Sequence, residues 1–269
     1  MAGDSFPRSP VVVITGGTKG LGLGMAQAFL RHDCHVVVNG RDPERLAQAV
    51  AVLAGEAGGD RVLGRAGDVA DADEAQALWQ AAVERFQGVD IWINNAAIGS
   101  IEQDFWEHDP ATIRSLIETN LLGTLYGTRV AARGMLAQGH GQIFNLEGWG
   151  SGNERRPGSA LYGTSKAAVS YFTRSLVAEL RGTPVRLGRI NPGIVVTDLL
   201  ALSIRPGQEA RIARFIDLFG DRVETVAPVL AARVLANRRH GVRIAWLTPR
   251  RVLGRLLSAP FRRRRVMER

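Results

Sequence analysis

The chain has 269 residues, 45% of them hydrophobic and 22% charged, which is typical of one globular α/β domain with a full core. Its single cysteine, Cys34, excludes an intramolecular disulfide. Residues 1–10 lack the regions of a secretory signal, and the apolar run at residues 11–14 is too short to span a bilayer. We therefore expect a cytoplasmic protein.

A strand and a glycine-rich turn open the chain. Residues 11–14 are all β-branched, which predicts a buried strand, and Leu21, Met25 and Phe29 share one face of the following helix. Glycines between them let the backbone approach a pyrophosphate, and the helix N-terminus offers free N–H groups. This order predicts a cofactor-phosphate site rather than a merely tight turn, although the spacing departs from G-x-G-x-x-G. Its expected residues are Thr15, Gly16, Thr18, Lys19, Gly20, Leu21 and Gly22.

The second strand, at residues 35–39, leads to the position that selects the dinucleotide. An acidic residue about 20 positions after the glycine turn would bind the 2′-hydroxyl of NAD. Here that position is Gly40, followed by Arg41. Arginine suits the 2′-phosphate of NADP, and Lys19 supplies a second positive charge, so we expect NADP(H) rather than NAD(H). Asp42 leaves NAD(H) open, and Arg41 has the alternative of capping the next helix.

Two further strands end in polar residues, at the edge where α/β proteins bind ligands. The third strand begins at residue 61 and ends near Asp68 and Val69; Asp68 is expected either to bind the adenine amino group or to cap a turn. The fourth, at residues 90–93, ends in Asn94, Asn95 and Ala96. The asparagines either point into the crevice or form turns. The expected cofactor contacts here are Asp68, Val69, Asn95 and Ala96.

Residues 111–135 predict one long helix with Asn120 near its middle. Asparagine is unfavourable inside a helix, so Asn120 is expected to be either a satisfied core group or a functional group. The fifth strand follows at residues 142–146, and a glycine-rich loop at residues 147–157 leads to the next helix.

That helix carries the second chemical motif, Tyr162 and Lys166, which lie four residues apart and so share one face. An ammonium group favours the phenolate, which predicts a Tyr162 pKa lowered from about 10 toward neutrality and suited to proton transfer. Of the 34 basic residues, only Lys19 and Lys166 are lysine. This choice indicates that these two positions require a compact ammonium group rather than the planar guanidinium of arginine. The alternative is an exposed pair worth about 0.2–0.5 kcal/mol to the helix.

The last third of the chain supplies a turn, an irregular segment and a basic end. The sixth strand, at residues 185–190, is followed by Pro192, Gly193, Val195 and Thr197. Residues 198–222, called the lid segment below, are less regular and predict a substrate lid with short helices. A helix at residues 224–237 and a seventh strand at residues 242–246 complete the pattern.

In this order, the motifs resemble those of the short-chain dehydrogenase/reductase family over residues 10–246. The matching elements are T-G-x-x-x-G-x-G at residues 15–22, Asn94-Asn95-Ala96, Asn120, Tyr162-x-x-x-Lys166 and Pro192-Gly193-x-x-x-Thr197. The resemblance implies a single-domain Rossmann fold: a doubly wound, mostly parallel seven-stranded sheet of order 3-2-1-4-5-6-7 with helices on both faces. The domain is expected at residues 10–248, between a tail at residues 1–9 and a basic extension at residues 249–269.

By that resemblance, Tyr162 is the general acid of carbonyl reduction, while Lys166 lowers its pKa and binds the nicotinamide ribose. Asn120 holds a water that links Lys166 to solvent. The hydride comes from the cofactor, and no metal is expected. The residues expected along the cofactor at this end are Pro192, Gly193, Val195 and Thr197.

The loop after the fifth strand departs from the family pattern. The family usually has a serine three residues after the asparagine of that strand, where this chain has Gly148. Ser151 is either a catalytic replacement brought in by the glycine-rich loop or an ordinary loop serine. Glu147 occupies another position where the family often has serine, and the sequence assigns it no role.

The same loop resembles that of the chlorophyll b reductase subgroup, in which an acidic residue and glycine also replace the serine pair. Segments at residues 197–200, 224–227 and 247–251 and the basic, apolar C-terminus are similar too. Those enzymes reduce the 7-formyl group of chlorophyll b or its relatives to a hydroxymethyl group with NADPH. The arginine-rich composition and the lack of a transit peptide predict a bacterial relative, whose substrate need not be a chlorophyll.

Three functions follow. The first is NADPH-dependent reduction of a carbonyl or formyl group on a bulky, apolar small molecule; Trp149, Leu199 and Phe215 favour bulk, unless they pack the lid itself. The second is 3-oxoacyl-(acyl-carrier-protein) reduction, in which surface arginines bind an acidic carrier. The third is a non-catalytic NADPH-binding scaffold or sensor, motivated by Gly148.

The net charge is +8, and arginines crowd residues 250–265. This pattern is typical of a solvated basic tail, or of peripheral contact with an anionic membrane or an acidic partner. Leu253, Leu256 and Leu257 lie at helical spacing and suit either a membrane surface or burial against protein. No nucleic-acid motif accompanies the charge, so no nucleic acid is expected. The family resemblance implies a homodimer or homotetramer built partly on the helices of Asn120 and Tyr162.

Overall fold

A parallel sheet forms the centre of the computed structural model, which describes residues 9–152, 154–202, 207, 209–259 and 264–266. The strands of these residues are β1 (Val11–Ile14), β2 (His35–Gly40), β3 (Val62–Ala66), β4 (Ile91–Asn94), β5 (Gly141–Leu146), β6 (Val185–Asn191), β7 (Ile194–Val196), β8 (Gly220–Arg222) and β9 (Arg243–Ala245). Seven of them form one sheet of order β3-β2-β1-β4-β5-β6-β9, with every neighbouring pair parallel. The predicted doubly wound sheet is confirmed, with β9 as its seventh strand.

Helices lie on both faces of this sheet. They are α1 (Gly20–Leu30), α2 (Pro43–Ala57), α3 (Ala72–Phe86), α4 (Pro110–Ile117), α5 (Gly123–Gln138), α6 (Ala160–Glu179), α7 (Asp198–Leu202), α8 (Glu209–Phe219), α9 (Val223–Leu235) and α10 (Pro249–Ser258). Asp42, Asp71 and Asp109 cap α2, α3 and α4, because each carboxylate accepts hydrogen bonds from N–H groups of the first turn.

The first strand shows how the sheet is buried on both faces. Val12 packs in one apolar cluster with Phe29, and Val13 packs in the opposite cluster with Trp92. Side chains alternate between the faces of a strand, so a sheet covered on both sides requires continuous apolar strands such as β1. All seven strands point their carboxyl ends at the same edge, where the loops of the candidate site lie.

The long helix predicted at residues 111–135 is interrupted. A π-helical turn, Glu118–Leu122, joins α4 to α5 and contains Asn120. Such turns break the regular backbone pairing of an α-helix and occur frequently at functional sites. Sequence periodicity alone does not reveal this turn, because the apolar pattern continues on both sides of it.

The lid segment is more regular than its sequence pattern predicts. It contains α7, α8 and β8, and β8 pairs in parallel with β7 to form a separate two-stranded sheet. Each of these strands has only three residues, too few to show a strand period. Residues 203–206 and 208 of this segment lie outside the described residues.

The basic extension contains α10, with Leu253, Leu256 and Leu257 exposed. Arg255 turns the other way and donates to the carbonyl of Phe219 at the end of α8. Residues 260–263 and 267–269, like residues 1–8 of the predicted tail, lie outside the described residues. Among the helices that the structure describes, none combines the length and apolar character needed to cross a membrane.

Candidate active site

Helix α6 places Tyr162 and Lys166 at the carboxyl end of β5. Lys166 is buried, and its Nζ lies 5.9 Å from the centroid of the Tyr162 ring. The ammonium group donates to the carbonyl of Leu146, the last residue of β5, at 3.4 Å. Lys166 is therefore held inside the protein beside a half-buried Tyr162, and the two do not form a solvated surface pair.

The pKa values of this pair are set by burial. Desolvation penalises the charged form of each group, so it raises the pKa of Tyr162 to about 12 and lowers the pKa of Lys166 to about 8. The predicted lowering of the Tyr162 pKa is therefore wrong, because the nearby ammonium group does not offset the loss of solvent. A phenol with this pKa stays protonated at neutral pH and is suited to donate a proton.

Gly148 packs directly on the Tyr162 hydroxyl. A Cβ atom at position 148 would lie 2.7 Å from Tyr162 Oη and 3.2 Å from Lys166 Cγ. The serine that the family usually has here would require the tyrosine to move. The glycine is thus built into the packing of the site.

Ser151 lies in the same loop, and its hydroxyl binds backbone groups. It donates to the carbonyl of Lys166 at 3.2 Å and accepts a hydrogen bond from the N–H of Gly148 at 3.1 Å. These bonds use the single proton of the hydroxyl and anchor the loop to α6. A catalytic role for Ser151 stays a prediction.

Asn120 joins the loop after β4 to α6. Its Oδ1 accepts from the N–H of Ile98 at 2.8 Å, and its Nδ2 donates to the carbonyl of Ile98 at 2.9 Å and to Ser165 Oγ at 3.2 Å. Ser165 donates in turn to the carbonyl of Tyr162 at 2.7 Å. The side chain is a satisfied buried group that supports the turn of α6 carrying the tyrosine. Its predicted hold on a water stays a prediction.

The N-terminus of α1 has the features of an anion site. Unlike α2, α3 and α4, this helix has no side-chain cap, and its first turn contains no acidic residue, which leaves its first N–H groups for another partner. Gly16 and Gly20 adopt φ of +63° and +54°, a region that favours glycine. A Cβ on Gly22 would lie 2.3 Å from the Gly16 carbonyl oxygen. The residues present therefore fit the phosphates of a dinucleotide.

Asn95 and Thr15 hold this glycine-rich turn against the end of β4. Asn95 Nδ2 donates to the carbonyls of Thr15 and Gly16 at 2.8 and 3.0 Å. Thr15 Oγ1 accepts from the N–H groups of Asn95 and Ala96 at 3.0 and 3.1 Å. The side chain of Asn95 therefore shapes the turn.

The side chains expected to select the dinucleotide lie on the surface beside the turn. Arg41 Nη1 is 3.8 Å from Asp68 Oδ2, and Lys19 Nζ is 3.0 Å from Asp198 Oδ2; all four side chains are substantially exposed. Asp42 instead caps α2, accepting from backbone N–H groups at 3.0 and 3.2 Å. Asp42, and not Arg41, therefore caps this helix.

The other residues expected to contact the adenosine end line the same region. Thr18 lies against Gly40, where a Cβ would meet Thr18 Cγ2 at 2.4 Å. Asp68 Oδ1 caps a turn, 3.0 Å from a backbone N–H. Val69 and Leu21 are buried.

The segment after β6 contacts the glycine-rich turn. Pro192 and Gly193 form a turn in which Gly193 has φ of +69°. Thr197 Cγ2 would lie 3.3 Å from a Cβ on Gly20. Val195, in β7 between them, is buried. The structure thus brings the two predicted halves of the cofactor site together.

Glu147 is the site-adjacent residue to which sequence reasoning gave no role. Its buried carboxylate accepts from Arg189 at 2.9 Å, from Arg243 at 2.7 Å and from Asn191 at 3.2 Å. Arg189 and Arg243 are directly paired on β6 and β9, where like charges repel, and the carboxylate offsets that repulsion. Asn191 also accepts from the N–H of Gly193 at 3.0 Å, so the network reaches the turn after β6. The adjacent arginines become visible only when the register of β6 and β9 is known.

Trp149 and Arg156 form a wall next to Gly148. The Arg156 guanidinium lies 5.1 Å from the Trp149 ring centroid and pairs with the buried carboxylate of Glu102. Trp149 Nε1 is buried with no hydrogen-bond partner among the described residues. Nearby, a Cβ on Gly99 would meet Leu199 Cδ1 at 3.5 Å. The loop after β4 thus contacts both the loop after β5 and helix α7.

Comparison with known proteins agrees with this geometry. A family model described as short chain dehydrogenase matches residues 10–206. A chloroplastic chlorophyll(ide) b reductase of Arabidopsis thaliana is 36% identical over 90% of this chain and 70% of its own length. A sulfoacetaldehyde reductase of Chromohalobacter salexigens is 32% identical over 88% of this chain and 96% of its own. The chain spans about half the length of two longer chloroplastic relatives, described as probable chlorophyll(ide) b reductases of Oryza sativa subsp. japonica and Arabidopsis thaliana.

Solved structures show the same fold. A 3-ketoacyl-(acyl-carrier-protein) reductase of Brucella melitensis, complexed with NADH, matches with a TM-score of 0.79 and 26% identity over 91% of this chain and 99% of its own. A short-chain type dehydrogenase/reductase of Mycobacterium marinum matches with a TM-score of 0.77 and 25% identity over 88% and 94%.

Proposed function

This chain belongs to the short-chain dehydrogenase family and is an NAD(P)-dependent oxidoreductase, and we propose that it reduces a formyl or keto group of a bulky, apolar small molecule with NADPH. The packing of Gly148 on the Tyr162 hydroxyl carries this proposal. Because any side chain on residue 148 would crowd this hydroxyl, the glycine keeps the phenol in position to reach the carbonyl of a bulky substrate. Glu147 and Gly148 also replace the family's serine pair as in the chlorophyll b reductase subgroup, whose members are similar to most of this chain.

Tyr162 is the proposed proton donor. Its pKa, raised by burial to about 12, keeps the hydroxyl protonated, so it hydrogen-bonds a carbonyl oxygen and protonates the alkoxide that develops there. Lys166, with a pKa of about 8, is largely charged at neutral pH and stabilises the phenolate left after transfer. When bound, the nicotinamide supplies the hydride.

The preference for NADPH is supported by the surface beside the glycine-rich turn. Arg41 and Lys19 each pair with an exposed carboxylate, and such pairs are worth only about 0–1 kcal/mol. A 2′-phosphate therefore replaces those carboxylates at little cost and gains charge-assisted hydrogen bonds. Asp42 is committed to capping α2, which removes the nearest candidate for binding a 2′-hydroxyl.

The aromatic and aliphatic wall beside Gly148 supports a bulky substrate. The Trp149 ring is held by Arg156, and Leu199 of α7 closes on the loop after β4 at Gly99. The unpartnered Trp149 N–H is a donor that a polar substrate group satisfies after a small movement of the loop. We propose that the lid segment, residues 198–222 within a domain at residues 10–248, covers this region.

The deciding experiment is NADPH oxidation, followed by absorbance, against a carbonyl panel of chlorophyllide b, aromatic aldehydes, small polar ketones and a 3-oxoacyl thioester. We expect turnover of large formyl compounds that is lost in Tyr162→Phe. Turnover of small polar ketones alone would refute the bulky-substrate part. Binding of NADPH with no turnover across the panel, and unchanged cellular function in Tyr162→Phe, would favour a scaffold or sensor instead.

A second candidate function is 3-oxoacyl-(acyl-carrier-protein) reduction, favoured by the similarity to the Brucella melitensis structure. In that function, surface arginines bind the acidic carrier protein. We expect this activity to be weak, because the serine that the family usually has is absent at Gly148. Equal rates with carrier-bound and free thioester substrates would contradict carrier docking.

We further propose a homo-oligomer assembled partly through α5 and α6. Leu136 on α5 and Tyr171 on α6 are large apolar side chains with 43% and 69% exposure, and burial of such side chains is common at subunit interfaces. Light scattering would measure the mass of the native chain and of Tyr171→Glu. A monomer in both cases would contradict this assembly.

The exposed face of α10 supports peripheral contact with an anionic membrane. Leu253, Leu256 and Leu257 are 58%, 49% and 67% exposed on a short helix with basic neighbours, the pattern of an interfacial helix. Sedimentation with anionic vesicles at low salt would test the contact, with Leu257→Asp as the variant expected to lose it. Absence of binding by the native chain would refute it.

A further inference from the structure

The C-terminal extension binds the lid segment at one buried residue, Asp221 in β8. The carboxylate of Asp221 accepts from Trp246 Nε1 at 2.6 Å, from Arg264 at 2.6 Å and from Arg255. Burial alone would raise the pKa of Asp221, but hydrogen bonds and charge from these donors hold it below its ordinary value. Arg255 lies in α10 and Arg264 beyond it, so two separate parts of the extension meet at one carboxylate.

The same two arginines also bind backbone carbonyls at the end of α8. Arg255 donates to the carbonyl of Phe219 at 2.6 Å, and Arg264 donates to the carbonyls of Leu218 and Gly220 at 3.1 and 3.0 Å. The last carbonyls of a helix lack partners within it, and cationic side chains satisfy them well. The extension therefore binds the backbone of the lid segment as well as its carboxylate.

A backbone N–H group nearer the C-terminus also binds the lid segment. The N–H of Val266 donates to Asp217 Oδ1 at 2.8 Å, and the Val266 side chain is buried. Arg264 and Val266 thus attach the chain beyond α10 to the end of α8. A solvated basic tail, one of the two readings of the sequence, does not describe these residues.

Strand β8, which carries Asp221, is directly connected to the candidate cofactor site. Asp221 in β8 pairs in register with Val195 in β7, and β7 runs on to Thr197, which lies against Gly20 of the glycine-rich turn. Movement of β8 away from the domain therefore pulls β7 away from that turn.

An ion pair at the beginning of the lid segment is a weaker attachment. Lys19 pairs with Asp198 at its beginning, but both side chains are more than half exposed, and exposed pairs contribute little. The Asp221 cluster is largely buried, and its bonds are charge-assisted. The bonds at Asp221 thus resist opening of the segment more strongly than the Lys19–Asp198 pair does.

We propose that residues 249–259 and 264–266 form a latch on α8 and β8 of the lid segment, with Asp221 as the positioning residue, and that this latch sets the residence time of the dinucleotide. The inference rests on the proposed placement of the cofactor between the glycine-rich turn and β7. Loss of one latch arginine leaves the phosphate site and the Tyr162 centre intact but lets β8 and β7 open more often.

The test compares Arg264→Gln with Arg265→Gln, its exposed neighbour, in the full-length chain. NADPH dissociation is measured by stopped-flow fluorescence after displacement with excess NADP⁺. We expect dissociation from Arg264→Gln to be about tenfold faster, equivalent to about 1.4 kcal/mol, with Arg265→Gln matching the native rate. An equal dissociation rate in Arg264→Gln and the native chain would overturn the proposal.

Amide hydrogen exchange tests the latch without any cofactor. In Arg264→Gln we expect faster exchange confined to β7, β8 and the end of α8, with β1 and α1 unchanged. Uniformly faster exchange would show a general loss of stability and would refute a latch. Unchanged exchange in β8 would refute it as well. Failure of the native chain to bind NADPH would count against the proposed function, while the exchange result would still decide the latch.

Discussion

Gly148 and Tyr162 are packed so closely that a methyl group on residue 148 would lie 2.7 Å from the tyrosine hydroxyl. Gly148→Ser would therefore displace the phenol instead of restoring the family's serine. Because the displaced atom is the end of a side chain, the protein should remain folded while kcat falls by about 10–100-fold, in line with the cost of small misplacements of reacting groups. Steady-state NADPH oxidation and a thermal melt would measure the two effects.

The matched control for this variant is Gly163→Ala, next to Tyr162 on α6. A Cβ there would meet only the Cα of Gly150, at an ordinary 3.9 Å. Its activity should stay near the native value. Higher activity in Gly148→Ser than in the native chain would contradict the crowding argument and would indicate that the site lacks a useful hydroxyl.

Much of this site could be predicted because its signals are local. Each signal depends on a short stretch of neighbouring residues. Examples are the β-branched run of β1, the glycines after it and the four-residue spacing of Tyr162 and Lys166. Parallel strands then bring their carboxyl ends to one edge, so the motifs meet without any knowledge of distant contacts. The strand order, by contrast, was implied by the resemblance to the short-chain dehydrogenase/reductase family.

The features that sequence reasoning missed depend on distant contacts or on burial. Glu147 is explained by Arg189 and Arg243, which are adjacent only once β6 and β9 are paired. Asp221 collects donors from residues far along the chain. The pKa of Tyr162 moved opposite to expectation because desolvation, which spacing does not report, outweighs the charge of Lys166.

Glu147→Gln is expected to destabilise the fold. The substitution removes the negative charge that holds two directly paired arginines, and breaking a buried pair from one side costs about 3–5 kcal/mol. Partial exposure of Arg243 reduces that cost, so we expect a loss of about 2–4 kcal/mol in urea unfolding. Glu44→Gln, on the exposed first turn of α2, should change stability little. Equal midpoints for the two variants would contradict this role.

Nucleotide preference should depend on Arg41. Arg41→Ala is expected to raise the KM for NADPH by about tenfold, which corresponds to about 1.4 kcal/mol, and to leave the KM for NADH nearly unchanged, because only NADPH carries the 2′-phosphate. Arg45→Ala, an exposed arginine in the first turn of α2, is the matched control. An equal rise in KM for both dinucleotides would refute a phosphate contact.

Reductive turnover should fall as pH rises through about 8. Lys166 loses its charge there, since burial lowers its pKa to about 8, whereas Tyr162 keeps its proton until about pH 12. The phenolate formed after proton transfer then lacks its ammonium partner. The pH profile of kcat/KM reports such a group in the free enzyme. A profile that is flat from pH 7 to about 9.5 would contradict this assignment.

Lys166→Met should abolish reduction and yet stabilise the fold at neutral pH. The Lys166 pKa falls from 10.5 to about 8 on folding, so below pH 8 the folded protein bears the full cost of a buried charge. Between about pH 8 and 10.5 the unfolded chain binds more protons, and native stability therefore rises with pH. Methionine removes the cost, which predicts a gain on the order of 1–3 kcal/mol at pH 7 that vanishes above about pH 10.5. Thermal melts of both proteins across this pH range would measure it. A lower melting temperature for the variant at pH 7 would show that the bond from Lys166 to the Leu146 carbonyl outweighs desolvation.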